Sequence, residues 1–166
     1  MNKKVAVITF EEPAQSYVAY SKIKQIGGAD YFKLNQLIII EKDLTDEKFI
    51  IKEKIDREGS NRLFKDSLIG MIIGILGGPI GILFGGIAGE LVGVSHNYLD
   101  NKKTKTVFDD IGELVKSGKT ALLLSFEESD ETLLDAVIKT ELKGTIIRFD
   151  YKQVIEEMKG IQETGN

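Results

Sequence analysis

The chain has 166 residues, 42% hydrophobic and 29% charged, proportions that are ordinary for a globular protein with one core. Its net charge of -4 argues against a general nucleic-acid binder, which would normally be basic. Because the chain contains no cysteine, disulfides and cysteine-ligated metal sites are excluded.

The first part of the chain reads as strand, helix and hairpin. The predicted elements are a strand at 4–10, a helix at 14–26 and two paired strands at 32–42 and 48–55. The first run is too short for a signal peptide, since the charged pair Glu11-Glu12 follows it at once. Tyr17 and Val18 are expected on the apolar side of the helix.

The last third of the chain alternates in the same way. The predicted elements are a helix at 106–116, a strand at 120–126, an amphipathic helix at 130–142, a strand at 145–149 and a helix at 151–161.

Two similar β-α-β units explain this order. Residues 7–12 and 123–128 both end a strand in Phe-Glu-Glu, and each is followed by a helix and a strand. We therefore predict an α+β fold, a ferredoxin-like sandwich with halves at 1–60 and 101–166 and an inserted glycine-zipper helical hairpin at 61–100. The alternative is a chance similarity of two short strands.

The inserted segment holds nine of the 17 glycines. Residues 68–89 carry no charge for 22 positions, which is long enough for a membrane span on hydropathy alone. The glycines recur every four residues in two rows, Gly77, Gly81, Gly85, Gly89 and Gly93, and Gly70, Gly74 and Gly78.

Glycines spaced by four lie on one side of a helix and form a groove that another helix backbone can approach closely. In water each costs roughly 1 kcal/mol relative to alanine, so such a helix needs packing or a bilayer to persist. A flexible loop would be polar, whereas this segment is filled with aliphatic residues. A phosphate-binding loop is discounted because the required glycine-lysine pattern is absent.

Gly77, Gly78 and Pro79 predict a turn between two helical arms at 63–76 and 79–94. At about 1.5 Å per residue, the arms reach roughly 21 and 24 Å and fall short of the roughly 30 Å hydrocarbon core. Basic residues flank the segment on both sides, which favours a re-entrant or interfacial hairpin with both flanks on the cytoplasmic face. Burial in a soluble oligomer is the alternative.

Glu90 is the first charge after the apolar run and is a candidate polar residue within the membrane. There it would snorkel, pair with Arg62 or Lys65, or line an aqueous path. The simpler interpretation, that the membrane-like part ends at Glu90, is favoured.

Six stretches of the chain are similar to those of a known protein family, namely 7–10, 68–93, 95–100, 111–114, 117–122 and 144–147. In these the chain resembles the bacterial domain-of-unknown-function family 1269, whose members are predicted membrane proteins. The glycine-rich segment of this chain holds fewer alanines than is expected of that family. The resemblance implies membrane association and no established enzymatic activity, and it carries over no catalytic residue.

The sequence offers no catalytic constellation, metal site or cofactor site. His96 is the only histidine, so a transition-metal site is not expected. Glu11-Glu12 and Glu127-Glu128 could form a quasi-symmetric cation site. The favoured interpretation is that they stabilise the N-termini of the following helices, and Asp109-Asp110 fits the same interpretation.

We therefore expect a non-enzymatic, membrane-associated homo-oligomer, located on the cytoplasmic face of the membrane or in the cytoplasm. Its expected partners are itself and a membrane, not nucleic acid, and its roles would be stress-related or membrane-perturbing. The alternative is a soluble oligomeric sensor or small-ligand-binding module with the hairpin as its assembly core.

Overall fold

The computed structural model describes residues 1–45, 48–59, 63–77 and 106–164, except the side chains of residues 65 and 162–164. Its strands are β1 (Asn2–Thr9), β2 (Gly28–Ala29), β3 (Phe32–Lys42), β4 (Phe49–Asp56), β5 (Thr120–Glu128) and β6 (Thr145–Asp150). Its helices are α1 (Pro13–Ile26), α2 (Leu68–Gly77), α3 (Val107–Leu114), α4 (Thr132–Asp135, continued by a π-helical stretch Ala136–Glu141) and α5 (Tyr151–Thr164). A 3₁₀ turn (Phe64–Asp66) precedes α2.

The described strands form one six-stranded sheet in which every neighbouring pair is antiparallel. The order runs from β3 through β5 and β1 to β6, and the outer edge of β3 pairs with β2 near its start and with β4 further along. The α+β prediction is confirmed. The strands and helices predicted within residues 4–55 and 106–161 are all present, with ends that differ from the prediction by at most three residues.

Helices cover both faces of the sheet. One side, called face A, packs against α1 and α4 through Ile23 and Leu134. The other side, called face B, packs against α2, α3 and α5. The centre of β3, residues 37–40, is fully buried because its side chains alternate between two covered faces, and this explains the continuous apolar run in the sequence.

The first part of the glycine-rich segment is a helix in the core of the domain. In α2, Ile69 and Ile72 are fully buried in the face-B cluster that also contains Ile38, Ile40 and Leu123. The predicted arm at 63–76 is therefore observed as a 3₁₀ turn and a docked helix. Its turn and second arm, residues 78–94, lie outside the described residues.

The apolar side predicted for α1 is wrong in part. Tyr17 and Val18 are 42% and 44% exposed, whereas Ser16 and Ala19 are fully buried. The Oγ of Ser16 lies 2.9 Å from Oγ1 of Thr120 in β5, so a hydroxyl pair satisfies the polar atoms of this buried side. Hydropathy alone favours the apolar residues and misses such a pair.

A core substitution in α2 tests whether this helix belongs to the domain. We expect Ile72→Ala to lower the free energy of unfolding by about 2–5 kcal/mol, because it removes fully buried methylene groups. Gly160→Ala in α5, where an added Cβ would meet no described atom within 4 Å, is the control and should raise stability by up to about 1 kcal/mol through helix propensity. Urea denaturation measures both. Equal small effects would contradict the docked position of α2.

Candidate functional site

Helix α2 has two different sides. At roughly 100° per residue, its glycines fall nearly opposite Ile72, which points into the face-B core. These glycines are Gly70, which is buried, and Gly74 and Gly77, which are half-buried. A Cβ added at Gly74 would meet no described atom within 4 Å. The branched side chains thus anchor the helix to the sheet, and Gly74 lies away from this contact.

Gly77 has a separate contact with the domain. A Cβ at this position would lie 3.2 Å from the backbone nitrogen of Phe49, at the start of β4. The backbone there cannot yield as a flexible side chain would, so glycine allows the end of α2 to approach β4.

The remaining predicted residues of the zipper and its turn lie outside the described part of the chain. They are Gly78, Pro79, Gly81, Gly85, Gly89, Glu90 and Gly93. His96 lies outside it as well. These assignments stay predictions.

Polar side chains lie under the N-terminus of α2. The backbone amide of Ile69 donates to Oε1 of Gln36 at 3.1 Å, and that of Gly70 donates to Oγ of Ser67 at the same distance. Both amides would otherwise be orphaned at the start of a helix. Gln36 Nε2 and the Oγ of Ser125, its cross-strand neighbour, are buried without a hydrogen-bond partner in the described structure. This polar patch was not predicted from the sequence.

An ion cluster around the buried Glu128 joins β1, β5, β6 and α4 at one end of the sheet. The carboxylate of Glu128, 1% exposed, accepts hydrogen bonds from Arg148 Nε at 2.7 Å and from Lys4 Nζ at 3.0 Å. Arg148 Nη1 also donates to Asp135 at 2.7 Å, and Lys4 donates to Glu131 at 2.9 Å. Two cations thus hold three carboxylates in one network.

These contacts shift the pKa values of the groups. Burial favours a higher pKa for Asp135, but hydrogen bonds from Lys139 and Arg148 outweigh it and hold the pKa below its ordinary value of 3.8. A hydrogen bond from Lys4 lowers the pKa of Glu131. Burial opposes the charge of Lys4, yet its bonds to the carboxylates raise its pKa. The cluster therefore stabilises its own ionised state.

The two Phe-Glu-Glu sequences are not equivalent. Because β1 and β5 are antiparallel, Glu11-Glu12 and Glu127-Glu128 lie at opposite ends of the sheet and form no common cation site. The dipole interpretation is wrong for Glu128, which is committed to Lys4 and Arg148. No group of three potential metal ligands occurs among the described residues.

Asp109 follows the predicted helix-terminus role through a specific contact. Its carboxylate accepts from the backbone amide of Thr106, and the Thr106 hydroxyl accepts from the Asp109 amide. This reciprocal capping box begins α3.

A groove opens at the sheet edge between the end of α1, the start of β3 and the end of β4. It has a volume of about 640 Å³ and is lined by Gly27, Lys33, Leu34, Asn35, Arg57 and Glu58. Asn35 sits where the register of β3 against β5 shifts between Leu34 and Gln36. This groove was not predicted, since a shift in strand register leaves no clear pattern in the sequence.

Comparisons with known proteins add no family. No family model matches the chain, and neither a curated protein nor a solved structure matches it. The resemblance to domain-of-unknown-function family 1269 therefore stays a prediction. Of the helices that the structure describes, none combines the length and apolarity that a bilayer crossing needs.

The ion cluster predicts a strong difference between two adjacent glutamates. Glu128→Gln should lower the free energy of unfolding by about 3–5 kcal/mol, because it leaves Arg148 and Lys4 without their buried partner charge. Glu127→Gln is the control: its ion pair with Lys33 is 3.5 Å long and partly exposed, so its loss should cost less than about 1 kcal/mol. Similar losses in urea denaturation would show that the cluster contributes little.

The cluster also predicts acid sensitivity. Because the pKa of Asp135 is lowered on folding, its charge stabilises the fold above 3.8, its ordinary pKa, and this contribution is lost as the pH falls through the lower folded value. Stability measured against pH should therefore fall less steeply below 3.8 in Asp135→Asn than in the unmodified protein. Equal slopes of stability against pH below 3.8 in the two proteins would contradict the lowered pKa of Asp135.

Proposed function

We propose that this protein is a non-enzymatic homo-oligomer assembled through its glycine-rich segment, residues 68–94, and that it associates with a membrane. The observation that carries the proposal is the two-sided packing of α2. Ile69, Ile72 and Ile75 are buried against face B, while a Cβ added at Gly74 would meet no described atom within 4 Å. A helix fixed in this way can present a glycine row in a defined direction.

A ferredoxin-like arrangement of the surrounding sheet is part of the proposal. Supporting it, β1-α1-β3 and β5-α4-β6 are two β-α-β units whose strands interleave in the order β3, β5, β1, β6. The parts of the chain before and after the glycine-rich segment then belong to one domain. Both flanks of the segment would therefore lie on the same side of a membrane.

Close helix packing is the physical basis of the assembly. A side without side chains lets two backbones approach, with gains from van der Waals and Cα–H···O contacts. Gly74 costs its helix roughly 1 kcal/mol relative to alanine, and an intersubunit contact would offset this cost. The partner that fits such a surface is the equivalent helix of a second copy.

The membrane part of the proposal rests on the sequence beyond α2. The apolar run continues without charge to Gly89, and basic residues flank it on both sides. The proposed location is the cytoplasmic face of the membrane, where residues 78–94 would lie in the interface or enter it partly.

Two matched helical glycines test the assembly. A Cβ added at Gly74 or at Gly160 would meet no described atom within 4 Å, but only Gly74 belongs to the glycine rows. We expect Gly74→Leu to reduce the oligomer to smaller species in sedimentation velocity, whereas Gly160→Leu should leave the oligomer unchanged. Thermal unfolding of both variants checks that the domain remains folded.

An unchanged oligomer in Gly74→Leu would contradict assembly through this surface. Membrane association is tested separately by a carbonate wash of membranes from native cells. Retention in the washed pellet supports it, whereas recovery as a soluble oligomer would favour the assembly-core alternative over the membrane role.

A further inference from the structure

We propose that the groove lined by Gly27, Lys33, Leu34, Asn35, Arg57 and Glu58 binds a small organic anion through a carboxylate or phosphate group. Its volume of about 640 Å³ lies within the range of small-molecule sites. The site is at the edge of the sheet, none of its lining residues belongs to the glycine-rich segment, and it does not depend on the assembly role.

Arg57 is the main anion-binding group of this site. Its backbone amide donates to the carbonyl of Asn35 at 2.8 Å, and its Nη2 donates to the carbonyl of Lys24 at 3.1 Å. The bond from Nη2 orients the side chain, and because its acceptor is a neutral carbonyl it does not cancel the charge of the guanidinium. A guanidinium held in this way matches the geometry of a carboxylate or phosphate.

Gly27 makes room for that guanidinium. A Cβ at position 27 would lie 2.7 Å from Arg57 Nη1 and 2.8 Å from the Cβ of Leu34. Any side chain there would displace Arg57 or the strand. The close approach of the end of α1, the start of β3 and the guanidinium of Arg57 therefore depends on glycine at position 27.

Asn35 is an independent sign of a polar ligand. It lines the groove at the irregularity of β3, is 1% exposed, and its Nδ2 has no hydrogen-bond partner in the described structure. A buried donor left unpaired costs about 1–3 kcal/mol, and strand irregularities often re-aim side chains at sites. A small shift of this amide toward a bound oxyanion would satisfy it.

The local charge also favours an anion. The carboxylate of Glu58 is 3.0 Å from Lys3, so its charge is compensated. Lys33 lies at the rim, with its Nζ 3.5 Å from Glu127. Arg57 adds a further positive charge, which makes this groove locally cationic on a protein of net charge -4.

Titration of the full chain with succinate and, separately, inorganic phosphate tests the site, using amide chemical shifts at constant ionic strength. We expect saturable shifts at Gly27, Asn35 and Arg57 with at least one of the two. The probe that binds more tightly identifies the ligand as a carboxylate or a phosphate compound. Absence of saturable shifts with both probes would overturn the proposal.

Three single-charge variants complete the test. Arg57→Gln should weaken binding of the stronger probe by at least about tenfold, which corresponds to one lost charge-assisted contact. Lys33→Gln should weaken it less, and Lys52→Gln, which removes a cation paired with Glu41 elsewhere on β4, should leave it unchanged. Equal affinity in Arg57→Gln and the unmodified protein would overturn the assignment. If Arg57→Gln does not fold, equal affinity in Lys33→Gln and the unmodified protein would overturn it instead.

Discussion

Burial of α2 against face B of the sheet is the contact on which the arrangement of the molecule depends. Leu68, Ile69, Ile72 and Ile75 are at most 9% exposed, and burial of each such side chain contributes roughly 1.5–3 kcal/mol. Without this helix, Ile38, Ile40 and Leu123 would lose part of their cover. The same contact fixes the position of residues 68–77, the described part of the glycine-rich segment, on the sheet.

Helix α2 thus contains two kinds of residue that have different packing requirements. Branched side chains fill the space above a twisted sheet, whereas glycines allow a second backbone to come close. On a single helix the two sets can coexist because they occupy opposite sides. Gln36 and Ser67 accept hydrogen bonds from backbone amides in the first turn of α2 and so help to hold this helix on the sheet.

The sequence predicts the elements well, because strand runs and helical periodicity are local signals. It does not distinguish a core helix from a membrane arm, because the apolar residues 68–77 fit either interpretation. The contact of this helix with the sheet shows that it is a core helix. The sequence also misses groups whose role depends on distant partners. Ser16 is buried because Thr120 lies opposite, and Glu128 is buried because Arg148 and Lys4 reach it. The groove beside Arg57 likewise arises from three separate elements.

Native-state hydrogen exchange of the α2 amides tests the central claim that this helix is part of the folded domain. The account predicts that the amides of Ile72 and Ile73 exchange with opening free energies close to those of Leu122 and Leu123 in β5, since helix and strand share one core. Exchange of the α2 amides at nearly unprotected rates, while β5 stays protected, would contradict the docking of α2.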